Sequence, residues 1–473
     1  MNLNQLTIKE AQEGLKEKKF SSVELVSACL EQIKKHNKKI NAFITVCEKE
    51  ALEQAEKTER LISHQSTAFS LQPLLGIPIA VKDNFCTKGI KTTAASKVLE
   101  DYVPVYNATV VQRLIEAGAI IIGKTNLDAW AHGSSGENSD YGPAKNPWNL
   151  KFVPGGSSSG SAAAVSSQMC LGATGTDTGG SVRLPASFCN LVGLKPTYGR
   201  VSRYGVVAMA SSLDAMGHLT KDVTDSAIIL KITSGKDIND ATTSKSDVPE
   251  YLENLKRGIK GLKIGLPKEY FVEGMDKRIG ERLKDVFKTL EKLGAEILEI
   301  SLPHTNDALA VYYIVQPSEV SSNLARYDGI RYGFARDKFG DEAKRRIMLG
   351  TFALSAGYWE AYYLQAMKVR TLIKKDFEKA FAKVEVIIAP VSPTLPFRLG
   401  EKIDDPLKMY LSDILTVTAN LAGIPGLAVP AGFIDGLPVG IQIFGPQFSE
   451  ELLFQVGYTY EQETKWYRQR PKL

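Results

Sequence analysis

Two clusters of glycine and serine flank a short apolar stretch in the first half of the chain. Residues 155–161 read Gly-Gly-Ser-Ser-Ser-Gly-Ser and residues 175–181 read Gly-Thr-Asp-Thr-Gly-Gly-Ser, with Ala162–Val165 and Met169–Leu171 between them. A flexible linker dilutes glycine and serine among other polar residues, whereas this apolar stretch predicts burial. Glycines here are therefore predicted to shape backbone inside the fold, where converging N–H groups can stabilise an oxyanion. Ser181, at the end of the second cluster, is a candidate nucleophile.

Composition narrows the class of protein. A chain of 473 residues allows one large domain or two, and a net charge of +5 tolerates a nucleic-acid partner without requiring one. The 5 cysteines lack any Cys-x-x-Cys pair, which indicates free thiols in a reducing compartment. The histidines have no metal-ligand spacing, so no metal site is predicted. The sequence shows no signal peptide and no bilayer-spanning stretch, which predicts a cytoplasmic protein without membrane association.

Apolar strands alternate with amphipathic helices along the chain. Helical spacing from Thr7 to Ala55 predicts two or three helices before the main fold. Strands are predicted over 77–81, 119–122, 262–266, 296–300, 384–389, 427–430 and 439–444. Further helices are predicted over 109–117, 276–293 and most of 312–375, and a surface loop is predicted over 237–253. The pattern predicts an α/β fold with a large mixed central β-sheet covered by helices on both faces, after an N-terminal helical segment.

The serine cluster admits two kinds of nucleophile. Gly-x-Ser-x-Gly at 156–160 matches a nucleophile elbow with Ser158 as nucleophile, but only His218 and His304 follow, each in an unmarked context. A serine can instead use a neutral buried lysine. Lys82 directly follows an apolar strand and is a candidate base, or else a lysine that extends from the core to solvent.

The other serines of the cluster also have two interpretations. They could relay a proton to the lysine, or cap the helix predicted to begin near Ser161. A phosphate-binding loop is excluded because no Gly-Lys-Ser/Thr follows Gly160 or Gly180.

Blocks spread over more than a hundred residues resemble the amidase signature family; they are Lys82, 155–158, 175–183 and 193–202. The resemblance implies Ser181 as nucleophile, Ser157 as a bridging serine after a cis peptide bond, and Lys82 as base. It implies an oxyanion hole built from the backbone N–H groups of Thr178, Gly179, Gly180 and Ser181. It also implies one domain over 1–473, comprising a helical segment (1–70), the signature core (71–235) and a second half (236–473) that completes the sheet and substrate pocket.

Within that family the chain resembles the glutaminase subunits of tRNA-dependent amidotransferases, through residues 321–329, 345–351, 410–416 and 470–473. That resemblance implies glutamine as substrate, with Arg346 for its α-carboxylate, Asp413 for its α-ammonium and Tyr312 beside them. A heterotrimer with B and C subunits is implied, in which a partner subunit uses ATP and Mg²⁺ and makes most tRNA contacts, while this chain holds no cofactor.

Two alternatives stay open at this point. One is a stand-alone amidase of the same family acting on small amides, and the other is an inactive scaffold. Without the resemblance, Arg346 and Asp413 would be interpreted as a surface ion pair and a helix cap.

Three features depart from the family pattern and leave the pocket open in detail. Ser159 stands where glycine is usual, His132 stands where methionine is common, and the segment between Tyr332 and Phe339 is shorter than usual.

Overall fold

The computed structural model describes residues 2–64, 69 and 72–473. The helices are α1 (Ile8–Lys16), α2 (Ser22–Ile40), α3 (Glu48–His64), α4 (Thr109–Glu116), α5 (Ser159–Ser166), α6 (Arg183–Phe188), α7 (Val223–Thr233), α8 (Lys277–Lys292), α9 (Thr305–Asn323), α10 (Asp341–Ala353), α11 (Gln365–Phe381), α12 (Pro406–Tyr410), α13 (Val417–Ala422) and α14 (Glu450–Thr464). The strands are β1 (Phe43–Val46), β2 (Pro78–Lys82), β3 (Ile120–Thr125), β4 (Gly172–Asp177), β5 (Val192–Lys195), β6 (Ala215–Thr220), β7 (Lys263–Pro267), β8 (Glu296–Ile300), β9 (Val386–Pro390), β10 (Gly426–Ile434) and β11 (Leu437–Phe444).

One mixed sheet of 11 strands runs through the molecule, in the order β1-β3-β2-β4-β6-β5-β10-β11-β9-β7-β8. Strand β2 pairs in parallel with both β3 and β4, and β7 pairs in parallel with β8 and β9, while the other pairs are antiparallel. The α/β fold with a large mixed sheet is therefore confirmed.

The parallel strands β2, β3 and β4 position the site. All of their residues are buried, as expected for parallel strands covered on both faces. Their carboxyl ends meet at one edge, because Ile79 lies opposite Gly172 and Pro78 lies opposite Ile120. Polar residues that follow these strands are thereby collected in the crevice where α/β proteins commonly bind ligands.

Two capping boxes start the N-terminal helices. Thr7 and Glu10 form the first, and Ser21 and Glu24 form the second. In each box the hydroxyl of the first residue accepts the backbone N–H of the glutamate, and the glutamate carboxylate accepts the backbone N–H of the first residue. Asp225 of α7 then accepts the N–H groups of Ile8 and Lys9 at 2.7 and 3.0 Å, which anchors α1 to the sheet domain.

The N-terminal segment contains a strand that the sequence analysis did not predict. Strand β1 pairs antiparallel with β3 and forms one edge of the sheet. Four residues are too few to show a period, which explains the omission. The predicted end of this segment at residue 70 lies outside the described residues, and the boundary at 235 stays a prediction. No helix in the described part of the chain is both long enough and apolar enough to cross a membrane.

Helices α9 and α10 approach closely at a glycine. A Cβ on Gly350 of α10 would overlap the carbonyl oxygen of Pro317 in α9. The contact holds Arg346, one turn earlier on α10, within 2.8 Å of Gln316 on α9 (Nη1 to Oε1). A small residue at position 350 therefore controls where a predicted substrate-binding arginine lies.

We predict that Gly350→Ala lowers the free energy of unfolding by about 1–3 kcal/mol, because the two helix backbones must separate. Gly280→Ala on α8 is the matched control. Its Cβ would have only Met275 Cε nearby, at 3.9 Å, so this change should be neutral or stabilise the protein by up to about 1 kcal/mol. Urea denaturation of both variants checks the difference, and equal stability would contradict it.

Candidate active site

Lys82 ends β2 in a fully buried position. Its Nζ lies 2.9 Å from Ser157 Oγ, 2.9 Å from Ser158 Oγ and 2.7 Å from Thr176 Oγ1. Burial lowers the pKa of Lys82 to about 7, although the more distant Asp128, Asp177 and Asp214 act in the opposite direction. The alternative of a lysine reaching solvent is therefore wrong, and the amine can be neutral near physiological pH.

The hydroxyl groups around Lys82 differ in where their protons point. Ser158 Oγ donates to the carbonyl of Thr176 at 3.4 Å, and Thr176 Oγ1 accepts from Asn84 Nδ2 at 3.2 Å. Among the described residues, Ser157 Oγ has Lys82 as its hydrogen-bond partner. Because Ser157 Oγ has no second partner there, it is free to bond another hydroxyl group, as a residue that passes a proton on to Lys82 must.

The Gly156–Ser157 peptide bond is cis, as the resemblance implied. Asp128, in the loop after β3, packs beneath this turn. A Cβ on Gly156 would overlap Oδ2 of Asp128, and the backbone N–H of Asp128 donates to the Ser157 carbonyl at 3.3 Å. The Asp128 carboxylate accepts the N–H groups of Gly136 and Asn138 at 3.0 Å each. Burial raises its pKa to about 7.

The sequence analysis missed Asp128. The polar segment that follows the apolar strand β3 could have indicated Asp128, because β3 is the neighbour of the strand that carries Lys82.

The nucleophile loop follows β4 and is organised by Asp177. This carboxylate accepts the N–H of Gly180 at 2.9 Å and the N–H of Val182 at 3.2 Å, and it pairs with Arg183 at 3.1 Å. Burial alone would raise the pKa of Asp177, but Arg183 outweighs it and holds the value at about 2. Ser181 is partly exposed beside these buried groups, and its carbonyl accepts the N–H of Ser158 at 3.1 Å.

Two details of the loop correct the sequence analysis. The structure directs the N–H of Gly180 to Asp177, which leaves Thr178 and Gly179 as the predicted oxyanion donors ahead of Ser181. Helix α5 begins after Ser158, yet the Ser158 side chain makes no capping bond because it is engaged by Lys82. Capping therefore does not explain the serine at this position.

The nucleophile elbow with a histidine is wrong. Ser158 contacts Lys82, whereas His218 Nε2 bonds Ser226 Oγ at 2.7 Å and His304 Nδ1 bonds Asp376 at 2.8 Å.

Arg346 belongs to α10 and is buried against α9 and α12. Its Nε donates to Glu342 at 2.7 Å and its Nη1 donates to Gln316 at 2.8 Å. Its Cζ lies 5.2 Å from the ring centroid of Tyr313 and 5.4 Å from that of Tyr410. Within the described residues Nη2 has no hydrogen-bond partner, so this edge of the guanidinium is available for a carboxylate.

Asp413 lies near Arg346 and carries the opposite charge. It accepts from Ser134 Oγ at 2.7 Å and from Tyr313 Oη at 2.9 Å, and burial raises its pKa to about 6. Tyr313 thus contacts both charged residues, a role that the sequence analysis did not assign. The predicted Tyr312 lies within electrostatic reach of Arg346 and Asp413 and also contacts the nucleophile loop, where a Cβ on Gly179 would be 2.6 Å from its hydroxyl.

A cavity of about 530 Å³ reaches Arg346 from the surface. Its walls come from residues 129–140, from α10 and from residues 402–410, and include Gly133, Ser135, Glu342 and Tyr410. The arginine end of the site is therefore accessible to a small solute.

The departures from the family pattern lie around this site. Ser159 is buried, its Oγ has no partner among the described residues, and it packs behind Gly136. His132 is 1% exposed and both of its ring nitrogens likewise lack a partner in the described chain. The segment between Tyr332 and Phe339 forms a loop with a 3₁₀ turn at Arg336–Lys338.

Fold and site define an amidase, and the comparisons with known proteins agree. The Amidase family model matches residues 24–454, so the chain belongs to the amidase family. It is 52% identical to the A subunit of the glutamyl-tRNA(Gln) amidotransferase of Coxiella burnetii over 100% of both chains. It is 53% identical to the protein of the same name from Thermoanaerobacter pseudethanolicus over 98% of both. A crystal structure of the corresponding protein from Thermotoga maritima superimposes with a TM-score of 0.85 at 42% identity, covering 100% of this chain and 98% of the other.

We predict that amide hydrolysis falls about tenfold per pH unit below pH 7, because protonated Lys82 cannot accept a proton. The limiting rate at saturating substrate should be measured from pH 5.5 to 9. Saturation matters because burial raises the pKa of Asp413 to about 6, and protonation of Asp413 would weaken substrate binding rather than slow the chemical step. A flat profile from pH 6 to 9 in a step shown to be chemical would contradict the role of Lys82.

Proposed function

We propose that the chain is the glutaminase subunit of a tRNA-dependent amidotransferase. It hydrolyses glutamine to glutamate and supplies ammonia that converts Glu-tRNA(Gln), or Asp-tRNA(Asn), to Gln-tRNA(Gln) or Asn-tRNA(Asn). The observation that carries the glutamine assignment is the buried pair Arg346 and Asp413, joined through Tyr313. Free glutamine carries one α-carboxylate and one α-ammonium, so a fixed cation and a fixed anion select it over simple amides.

The first half of the reaction forms an ester. Ser181 Oγ attacks the side-chain carboxamide carbon of glutamine while its proton passes to Ser157 and the Ser157 proton passes to Lys82. The N–H groups of Thr178 and Gly179 stabilise the oxyanion of the tetrahedral intermediate. When the intermediate collapses, the proton returns through Ser157 to the leaving nitrogen, and ammonia departs.

The second half releases glutamate. Water attacks the γ-glutamyl ester, and Lys82 accepts the water proton through Ser157 and returns it to Ser181. The cycle consumes one glutamine and one water and leaves the enzyme unchanged.

Ammonia is used elsewhere in the assembly. We propose that this chain works with B and C subunits in a heterotrimer, in which a partner subunit binds ATP and Mg²⁺ and activates the tRNA-bound carboxyl group. That partner also makes most of the tRNA contacts. The relatives that are 52–53% identical are named as the A subunit of a glutamyl-tRNA(Gln) amidotransferase, which supports an assembly of several subunits that acts on a charged tRNA.

Ammonia release from glutamine, asparagine and a simple aliphatic amide, with and without partner subunits, tests the proposal. Glutamine should be preferred, release should rise with partners, and Ser181→Ala should lower it by at least about 10³-fold because the nucleophile is lost. Equal or better turnover of simple amides by the chain alone would indicate a stand-alone amidase. Unchanged activity in Ser181→Ala would indicate a different nucleophile or a scaffold.

Arg346→Lys tests the pocket separately from the triad. Lysine cannot present the planar fork that Glu342 and Gln316 orient, so we expect KM for glutamine to rise about 10-fold to 100-fold with turnover at saturation little changed. Arg257→Lys is the matched control, since that side chain is exposed and does not line the cavity that reaches Arg346. A similar KM in both variants would contradict the assignment of Arg346.

A further inference from the structure

The imidazole ring of His132 is buried and makes no hydrogen bond to the part of the chain that the structure describes. The residue is 1% exposed, and neither Nδ1 nor Nε2 has a partner among the described residues. Buried polar groups in native proteins are nearly always bonded, so each exception requires an explanation. One explanation is a ligand that supplies the missing partner.

The backbone fixes His132 beside the arginine end of the site. Its N–H donates to the Ala129 carbonyl at 3.0 Å, and its carbonyl accepts from Asn138 Nδ2 at 2.9 Å. Its neighbour Gly133 lines the cavity that reaches Arg346, and Ser134 donates to Asp413. The segment that carries His132 therefore contacts both halves of the predicted glutamine pocket.

The charge environment keeps this imidazole neutral. Burial, together with the positive charge of Arg346, holds the pKa of His132 well below its usual value. A neutral imidazole offers one N–H donor and one acceptor nitrogen. Arg346 is the charged residue that acts on His132, and the next residue, Gly133, lines the cavity that reaches Arg346, so the imidazole belongs to the wall of the pocket at its arginine end.

We propose that His132 is a specificity residue that donates its ring N–H to the α-carboxylate of bound glutamine, next to Arg346. The inference rests on the proposed function and deepens it. A carboxylate only accepts hydrogen bonds, so it satisfies the free donor of His132, whereas a thioether side chain such as methionine has no donor to offer. The chain thus recognises the carboxylate with two side chains instead of one.

The test compares His132→Met and His132→Gln in the full chain assembled with its partner subunits. With glutamine, KM should rise about 10-fold in His132→Met while the saturated rate stays within about twofold. His132→Gln retains an N–H donor and should recover most of the loss. With 4-aminobutanamide, which is glutamine without its α-carboxylate, wild type and both variants should have equal KM values. His36→Met makes the same change at another buried histidine, on α2, and is the control that should leave KM for glutamine unchanged.

The outcomes separate this inference from the proposed function. An equal loss on both substrates would make His132 a structural residue, and no loss on either would show that it does not contact substrate; both overturn the inference. In either case, wild-type glutamine hydrolysis that disappears in Ser181→Ala keeps the proposed function. Absence of glutamine hydrolysis in the wild-type assembly would overturn both.

Discussion

The burial of Lys82 among hydroxyl groups is the interaction on which the rest of the site depends. Three hydroxyl oxygens contact its amine, and its sequence neighbour Asp83 is held away by Lys124 at 3.2 Å. A carboxylate in contact would stabilise the ammonium and prevent it from acting as a base, whereas hydroxyl groups bond either protonation state. The sheet provides this environment by placing the ends of β2 and β4 side by side, so that Thr176 reaches the lysine.

The aspartates around the site differ in pKa because their partners differ. Asp177 contacts a guanidinium and stays ionised, while burial raises the pKa of Asp128 to about 7 and that of Asp214 to about 6. Each also accepts backbone N–H groups: Asp177 holds the nucleophile loop, Asp128 holds the 136–138 turn, and Asp214 holds the N–H groups of Met209 and Ala210. Asp214 also accepts from Thr178 Oγ1 at 2.7 Å. Their common function is to fix the loops that present the reacting groups.

The site has two parts that come from distant regions of the chain. The lysine, the serines and the oxyanion donors belong to the first half of the sheet, whereas Arg346 and Asp413 come from helical segments of the second half. Thr416 connects the two parts by donating to the Gly179 carbonyl at 2.5 Å, and Tyr312 packs on the same glycine. The helical part therefore also helps to position the nucleophile loop, because its residues contact one of the predicted oxyanion donors.

Local sequence patterns were enough to predict the α/β fold, most strands and helices, and the buried glycine and serine turns, because apolar periodicity and local residue types are properties of neighbouring residues. Lys82 and Ser181 were candidates on the same basis, whereas Ser157 as the bridging serine came from the resemblance to the amidase signature family. Those patterns did not reveal β1, whose four residues are stabilised by pairing with β3. They also did not reveal the central strands β4, β5 and β6, which contain glycine and polar residues instead of a continuous apolar run. Nor did they reveal Asp128, Tyr313 or Glu342, or the commitment of the Gly180 N–H to Asp177. Only the tertiary structure decided these, because each depends on contacts between segments that the sheet order and helix packing bring together.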